Sequence, residues 1–90
     1  MKVYLAGKIT GVEDYKDIFA EAEARLLHKG HRVMNPAVLP EGFKHAEYMQ
    51  ICYAMLGVCD VIHLLPGWQD SPGACLEYEF AMANGKAVLG

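Results

Sequence analysis

The chain has 90 residues, a formal net charge of −3 at pH 7, 21% charged residues and 53% apolar residues. A length of this order makes one domain, here 1–90, with a modest core, and the charge supplies no basic field for a phosphate backbone, so the expected partner is a small molecule and no nucleic-acid polymer. The apolar fraction exceeds the usual ~45–50%, which points to a buried interface between copies and hence a homo-oligomer.

Val3-Tyr4-Leu5-Ala6 is a short apolar run closed by Gly7, the pattern of a buried strand that turns toward a helix. Asp14 is placed as an N-cap, after which Tyr15, Ile18, Phe19, Ala22 and Leu26 fall at helical spacing, and Lys29-Gly30 supplies a cationic end and a C′ glycine. His31 to Met34 predicts a second strand, stopped by Asn35-Pro36, and Ala37 to Lys44 reads as loop. Tyr48, Ile51, Cys52, Met55, Leu56 and Cys59 predict a second helix from the late forties to the high fifties, weakened at its end by Gly57. Val61 to Leu65 is the strongest strand signal and Pro66-Gly67 ends it. Ser71 as N-cap with Pro72 at N1 opens a third helix whose inward stripe is predicted at Leu76, Phe80 and Ala83, and which stops at Asn84-Gly85. Ala87-Val88-Leu89 is a final short strand, ending at Gly90.

Three strand-then-helix units and a last strand predict an α/β fold: a small flavodoxin-like or Rossmann-like three-layer sandwich with a parallel four-stranded sheet, order 2-1-3-4, and helices on both faces. Ligands of such sheets bind beyond the carboxyl ends of the strands at the switch point, which brings Gly7–Gly11 and Pro66–Glu77 together.

Within those segments Glu77 lies early in the last helix, where the helix dipole favours an ionised carboxylate available as nucleophile or base. The competing reading is an acidic residue that only complements the dipole. Ser71 and the amides around Gly73 make a small anion nest or an ordinary cap. Tyr4, inside a buried strand, needs a hydroxyl partner, and a carboxylate at the adjacent strand end serves as well as core packing does. Trp68 is placed to stack on a nucleobase or to fill a subunit interface. Lys8 and Thr10, after Gly7, offer a charge and a hydroxyl to a phosphate or are plain turn residues.

Other residues carry less. The four histidines show no metal-ligand spacing, and the three cysteines lack a Cys-x-x-Cys pair, so no metal, no disulfide framework and no cofactor is expected. His63 is expected to point into helix packing, Asp60 to act as a cap or turn residue at the strand end remote from the cleft, and the cysteines to sit in the core. No stretch of about eighteen apolar residues is present, so neither a signal peptide nor a membrane span is expected. Reduced cysteines then suit a cytoplasmic setting.

Tyr4-Leu5-Ala6-Gly7-Lys8-Ile9-Thr10-Gly11, Asn35-Pro36-Ala37, Cys59-Asp60-Val61-Ile62 and, above all, Leu65-Pro66-Gly67-Trp68 followed by Ser71-x-Gly73-x-x-x-Glu77 span nearly the whole chain. On these pieces it resembles the nucleoside 2-deoxyribosyltransferase-like superfamily, which also contains deoxynucleoside monophosphate N-glycosidases, and within it the DUF4406 branch. The resemblance implies a retaining transfer or hydrolysis at the N-glycosidic bond of a (deoxy)nucleoside or its 5′-monophosphate. Glu77 matches the family nucleophile, Tyr4 the tyrosine that orients it, and Ser71 with the Gly73 amide the positions that hold a 5′-phosphate; Lys8 stands in place of a phosphate-contacting serine. Counting back from Asp60, Cys52 stands where the characterised enzymes carry an aspartate that assists base departure. The resemblance also implies a C-terminal segment, sometimes from a neighbouring subunit, that completes the family site; with this sequence ending at Gly90, the expectation is either a simplified site or one completed by a partner chain. The alternative is a non-catalytic nucleotide or nucleotide-sugar binding module.

Overall fold

In the computed structural model, which describes residues 1–89, four parallel strands, β1 (Lys2–Ala6), β2 (Arg32–Met34), β3 (Val61–Leu64) and β4 (Ala87–Leu89), form one sheet in the order β2-β1-β3-β4. The helices between them are α1 (Tyr15–His28), α2 (His45–Gly57) and α3 (Pro72–Ala83). Gly90, the expected end of the last strand, lies outside the described residues. The predicted fold class and strand order are those observed.

β1 is the axis of the sheet: Val3 pairs with Val33 on one side and Val61 on the other. Because it is covered on both faces, its residues after Lys2 are all buried, which is why it reads as an unbroken apolar run. Val3 and Leu5 pack with Phe19, Ala22 and Leu26 of α1. Tyr4 and Ala6, pointing the other way, pack with Ile62 and Leu64 of β3, Cys52 and Leu56 of α2, and Ala74 and Ala81 of α3. Each fully buried side chain of the Leu, Ile or Phe type contributes roughly 1.5–3 kcal/mol of transfer free energy, so the two faces of β1 anchor both layers.

α1 starts where predicted, but Asp14 makes no side-chain capping bond, and Ile18, at the margin of the apolar stripe, is exposed. Its end matches the expectation: Gly30 takes φ +90° and the His31 N–H returns to the Leu26 carbonyl, closing the helix as a left-handed glycine allows. α2 begins earlier than the late forties. The Lys44 N–H donates to Glu47 Oε1 at 2.8 Å, so a glutamate in the first turn caps a helix whose N-cap residue has no capping side chain. The predicted loop from Ala37 also begins with structure: Asn35 Oδ1 accepts from the Ala37 N–H at 2.9 Å and starts a 3₁₀ turn over Pro36–Val38.

The largest correction concerns the buried face of α3. Leu76 and Ala83 are exposed and Phe80 is half-buried, while Ala74, Glu77 and Ala81 face inward. The stripe is rotated because a carboxylate occupies the inward position, where β1 offers it a hydroxyl. His63 is corrected as well: its Nδ1 is 3.0 Å from the Leu89 carbonyl oxygen of β4, to which it donates with the proton on Nδ1. Asp60 keeps its expected place at the far end of the sheet, where Oδ2 accepts from the Lys2 N–H at 3.1 Å. Cys52 and Cys59 are buried and Cys75 is half-buried; all three are free thiols. No helix among the described residues is long and apolar enough to cross a membrane.

Candidate functional site

The segments that follow the carboxyl ends of β1, β2 and β3 border one cleft of about 1130 Å³, slightly more than the usual ~300–1,000 Å³ of a small-molecule site. Its wall on one side is the turn after β1, including Gly7, Lys8 and Thr10; facing it are Ser71 and Gly73 at the start of α3. A third side, not anticipated from sequence, comes from the β2–α2 connection and the first turns of α2, with Phe43, His45 and Tyr48. The carboxyl-end rule that singled out the segments after β1 and β3 applies equally to the one after β2, and Phe43 follows a Pro-x-Gly turn there; that was the available signal.

Glu77 and Cys52 line the floor. Tyr4 lies beneath it, fully buried, and its hydroxyl donates to Glu77 Oε2 at 2.6 Å. The bond joins the central strand to α3 across 73 positions of sequence and satisfies the buried hydroxyl and one carboxylate oxygen. Tyr4 is therefore a positioning residue: it fixes the carboxylate without lining the cleft.

Burial controls the titration of this cluster. Glu77 is 7% exposed, and desolvation pushes its carboxyl up to about 7 against the opposing bonds from Tyr4 and Cys52. The dipole argument from sequence gave the opposite direction. It fails because Glu77 lies beyond the first turn of α3, where the N-terminal field has faded and loss of water dominates. Burial likewise pushes the Cys52 thiol up to about 11, so it is a neutral donor near pH 7. The Tyr4 hydroxyl is raised well above the usual tyrosine range by burial and then by the Glu77 charge, and stays protonated.

Ser71 caps α3 through Oγ, which accepts from the Ala74 N–H at 3.1 Å and leaves its own O–H free to donate. The two glycines differ in what requires them. A Cβ on Gly7 would stand 3.0 Å from Leu65 Cβ and 3.3 Å from Phe19 Cζ, so the absence of a side chain serves strand-to-helix packing. A Cβ on Gly73 would meet His45 Cε1 and Met49 Sδ at 3.5 Å, an ordinary contact, so neither packing nor φ demands glycine. Lys8 and Thr10 are exposed on the cleft wall. Trp68 is not brought to the cleft. Its ring packs on Tyr78 of α3 with centroids 5.0 Å apart, because the 3₁₀ turn Trp68–Asp70 folds it back onto the helix; Asp70, which sequence reasoning passed over, takes the place at the cleft edge.

The parallel 2-1-3-4 sheet with a tyrosine-bonded carboxylate at its switch point is a small α/β domain, and the family match and the similarity to solved structures that follow put it in the nucleoside 2-deoxyribosyltransferase-like superfamily. Within it the chain belongs to the family described as Domain of unknown function (DUF4406), which matches residues 1–90. The structure is similar to that of a CMP N-glycosidase from Clostridium botulinum, with 26% identity, a TM-score of 0.72, and coverage of 98% of this chain and 68% of that one. It is similar in fold to a 2-deoxyribosyltransferase from Leishmania mexicana, with 18% identity, a TM-score of 0.76, and coverage of 98% of this chain but 61% of that one. No curated protein matches the chain in sequence.

Proposed function

We propose that the chain binds a (deoxy)nucleoside or its 5′-monophosphate in the cleft and cleaves or transfers its N-glycosidic bond, with Glu77 as nucleophile. The observation that carries this reading is the buried 2.6 Å bond from Tyr4 to Glu77 at the floor of a cleft open to solvent. One carboxylate oxygen is held by Tyr4, so the other is presented in a fixed direction. The similarity to a CMP N-glycosidase supports the same class of bond.

In the first step the Glu77 carboxylate attacks C1′, a C–O bond forms, the C1′–N bond breaks, and its electron pair leaves with the base, which takes a proton from water. In the second, water or a second base attacks C1′ and gives up its proton to the hydroxide left by the first step, the ester bond breaks, and Glu77 leaves as the carboxylate. Tyr4 stays protonated throughout and donates to the carboxylate. Lys8, Thr10, the Ser71 hydroxyl and the Gly73 amide are assigned to the sugar or its 5′ end. The backbone of Gly7 borders the same wall. The reading includes a homo-oligomer, since Ile51 of α2 and Leu76 and Met82 of α3 remain exposed on the outer layer, and a cytoplasmic setting.

Incubation with a panel of nucleosides and 5′-monophosphates, with free base read by chromatography, is expected to show release by the wild type and none by Glu77→Ala; no release by either overturns the enzyme reading. The pH profile has a set sign. Glu77 attacks only when ionised, so kcat/KM is expected to rise about tenfold per pH unit below about 6 and level off above about 8. A profile flat from pH 5 to 8 would argue against Glu77.

The glycines give a second test. Gly7→Ala is expected to lower unfolding free energy by about 1–3 kcal/mol through overpacking against Leu65 and Phe19. Gly73→Ala is expected to leave denaturant stability within about 0.5 kcal/mol while raising KM several-fold. Equal stability losses in both would remove Gly73 from the binding assignment.

Cys52 favours a second reading. A neutral thiol at the floor is a poor proton donor to a leaving base, and the same cleft without turnover is a nucleotide or nucleotide-sugar binding module. Tight binding by calorimetry with no base released distinguishes it.

A further inference from the structure

Phe43 is 51% exposed and borders the cleft. Single exposed apolar side chains are common on protein surfaces and by themselves mean little. What sets this one apart is how firmly its segment is held. The Tyr48 hydroxyl donates to the Pro40 carbonyl at 2.6 Å and accepts from the Phe43 N–H at 3.2 Å. The Tyr48 ring meets the Phe43 ring edge to face, with centroids 6.0 Å apart and an interplanar angle of 84°. Gly42, at φ +98°, supplies the turn that delivers the ring to that position. One residue of α2 thus ties down the connection at two backbone points and supports the ring through one aromatic edge.

A phenyl ring held in this way loses little conformational entropy when a flat ligand covers it, and a ring in partial contact with water gains from being covered. The cleft already contains the groups for a sugar at its floor and on the opposite wall, and Trp68, the stacking candidate named from the sequence, is engaged with Tyr78 and does not line the cleft. We propose that Phe43 is the platform on which the planar heteroaromatic base of the substrate stacks, with Tyr48 as the residue that positions it. This rests on the nucleoside reading of the cleft and adds to it the place of the base, on the β2–α2 side.

The test uses two ligands with no glycosidic bond to break, adenine and 2-deoxyribose 5-phosphate, titrated by NMR against the full chain and its variants, each checked for a wild-type thermal transition. Phe43→Ala is expected to weaken adenine about tenfold, the scale of one base–aromatic stack, and to leave 2-deoxyribose 5-phosphate unchanged. Phe43→Tyr is expected to keep wild-type affinity, and Phe43→Leu, apolar but without a π-face, to behave like Phe43→Ala. Unchanged adenine binding in Phe43→Ala, or equal weakening of both ligands, overturns the proposal. A wild type that binds the sugar phosphate but not adenine overturns the stacking platform alone, whereas one that binds neither overturns the nucleoside reading with it.

Discussion

Glu77→Gln is expected to reduce base release by at least about a thousandfold and, in the same molecule, to raise stability above pH 7. The first effect is the loss of the only group on the cleft floor assigned to bond formation at C1′. The second follows from the proton. In the folded chain the Glu77 carboxyl titrates at about 7, against an ordinary value of 4.5. Between those values the native state holds a proton that the unfolded chain has released, so unfolding free energy falls as pH rises through this window and is lowest above about 7. At ~1.4 kcal/mol per tenfold, the gap corresponds to about 3 kcal/mol, which for a domain of this size is about 10 °C or more in Tm.

Gln has the shape of the protonated acid, keeps an oxygen to accept from Tyr4, and never ionises. Its stability advantage over the wild type is therefore expected to be near zero at pH 4 and to grow to about 2–3 kcal/mol at pH 8, read by urea denaturation across the range. A destabilisation that is the same at every pH would mean that the buried charge is not the source of the effect. On the proposed role of Glu77, function and stability oppose each other at one residue: the carboxylate sits where its ionised form destabilises the fold.

How far the sequence could reveal this depends on the residue. The sheet was legible because Val3–Ala6 and Val61–Leu65 are apolar runs bounded by glycine or proline, and the alternation with helical stripes admits few parallel topologies. Tyr4, Ser71, Gly73 and Glu77 could be grouped because the carboxyl-end rule depends on chain order alone. Side-chain direction and burial were not legible. A stripe of Leu76, Phe80 and Ala83 is the natural reading of α3, and only the hydroxyl of Tyr4, 73 positions away, explains why Glu77 faces inward instead. The same contact reverses the titration expected from the helix dipole, since desolvation depends on neighbours distant in sequence. Trp68 was misplaced for a related reason: Pro66-Gly67 marks a turn but not which way the ring leaves it, and Tyr78 decided that. Phe43 was missed because its importance comes from Tyr48, a residue read only as part of a helical stripe.

Cys52→Asp is expected to raise kcat for base release by at least about a hundredfold near pH 7. The general-acid contribution that a thiol withholds is on the order of 10²–10⁴, and it is greatest for bases that leave poorly without a proton. Cys52 is 7% exposed, shares the floor with Glu77 and packs in the same cluster as Tyr4, so a carboxyl placed there stands beside Glu77. Two buried carboxyls so close cannot both be ionised at neutral pH. The pair retains one proton while the other group is charged, which provides an acid and a nucleophile together, and the pH profile is expected to change from a single rising limb to a bell. Burial of a second carboxyl is expected to lower stability by about 1–3 kcal/mol. Cys52→Asn supplies the comparison, since it has nearly the same shape and no transferable acid proton. A gain in the Asp variant that the Asn variant lacks identifies proton delivery to the base as the step this chain performs poorly. Equal rates in the two would show that protonation of the base does not limit release, and that the thiol at the floor serves packing and the orientation of Glu77 instead.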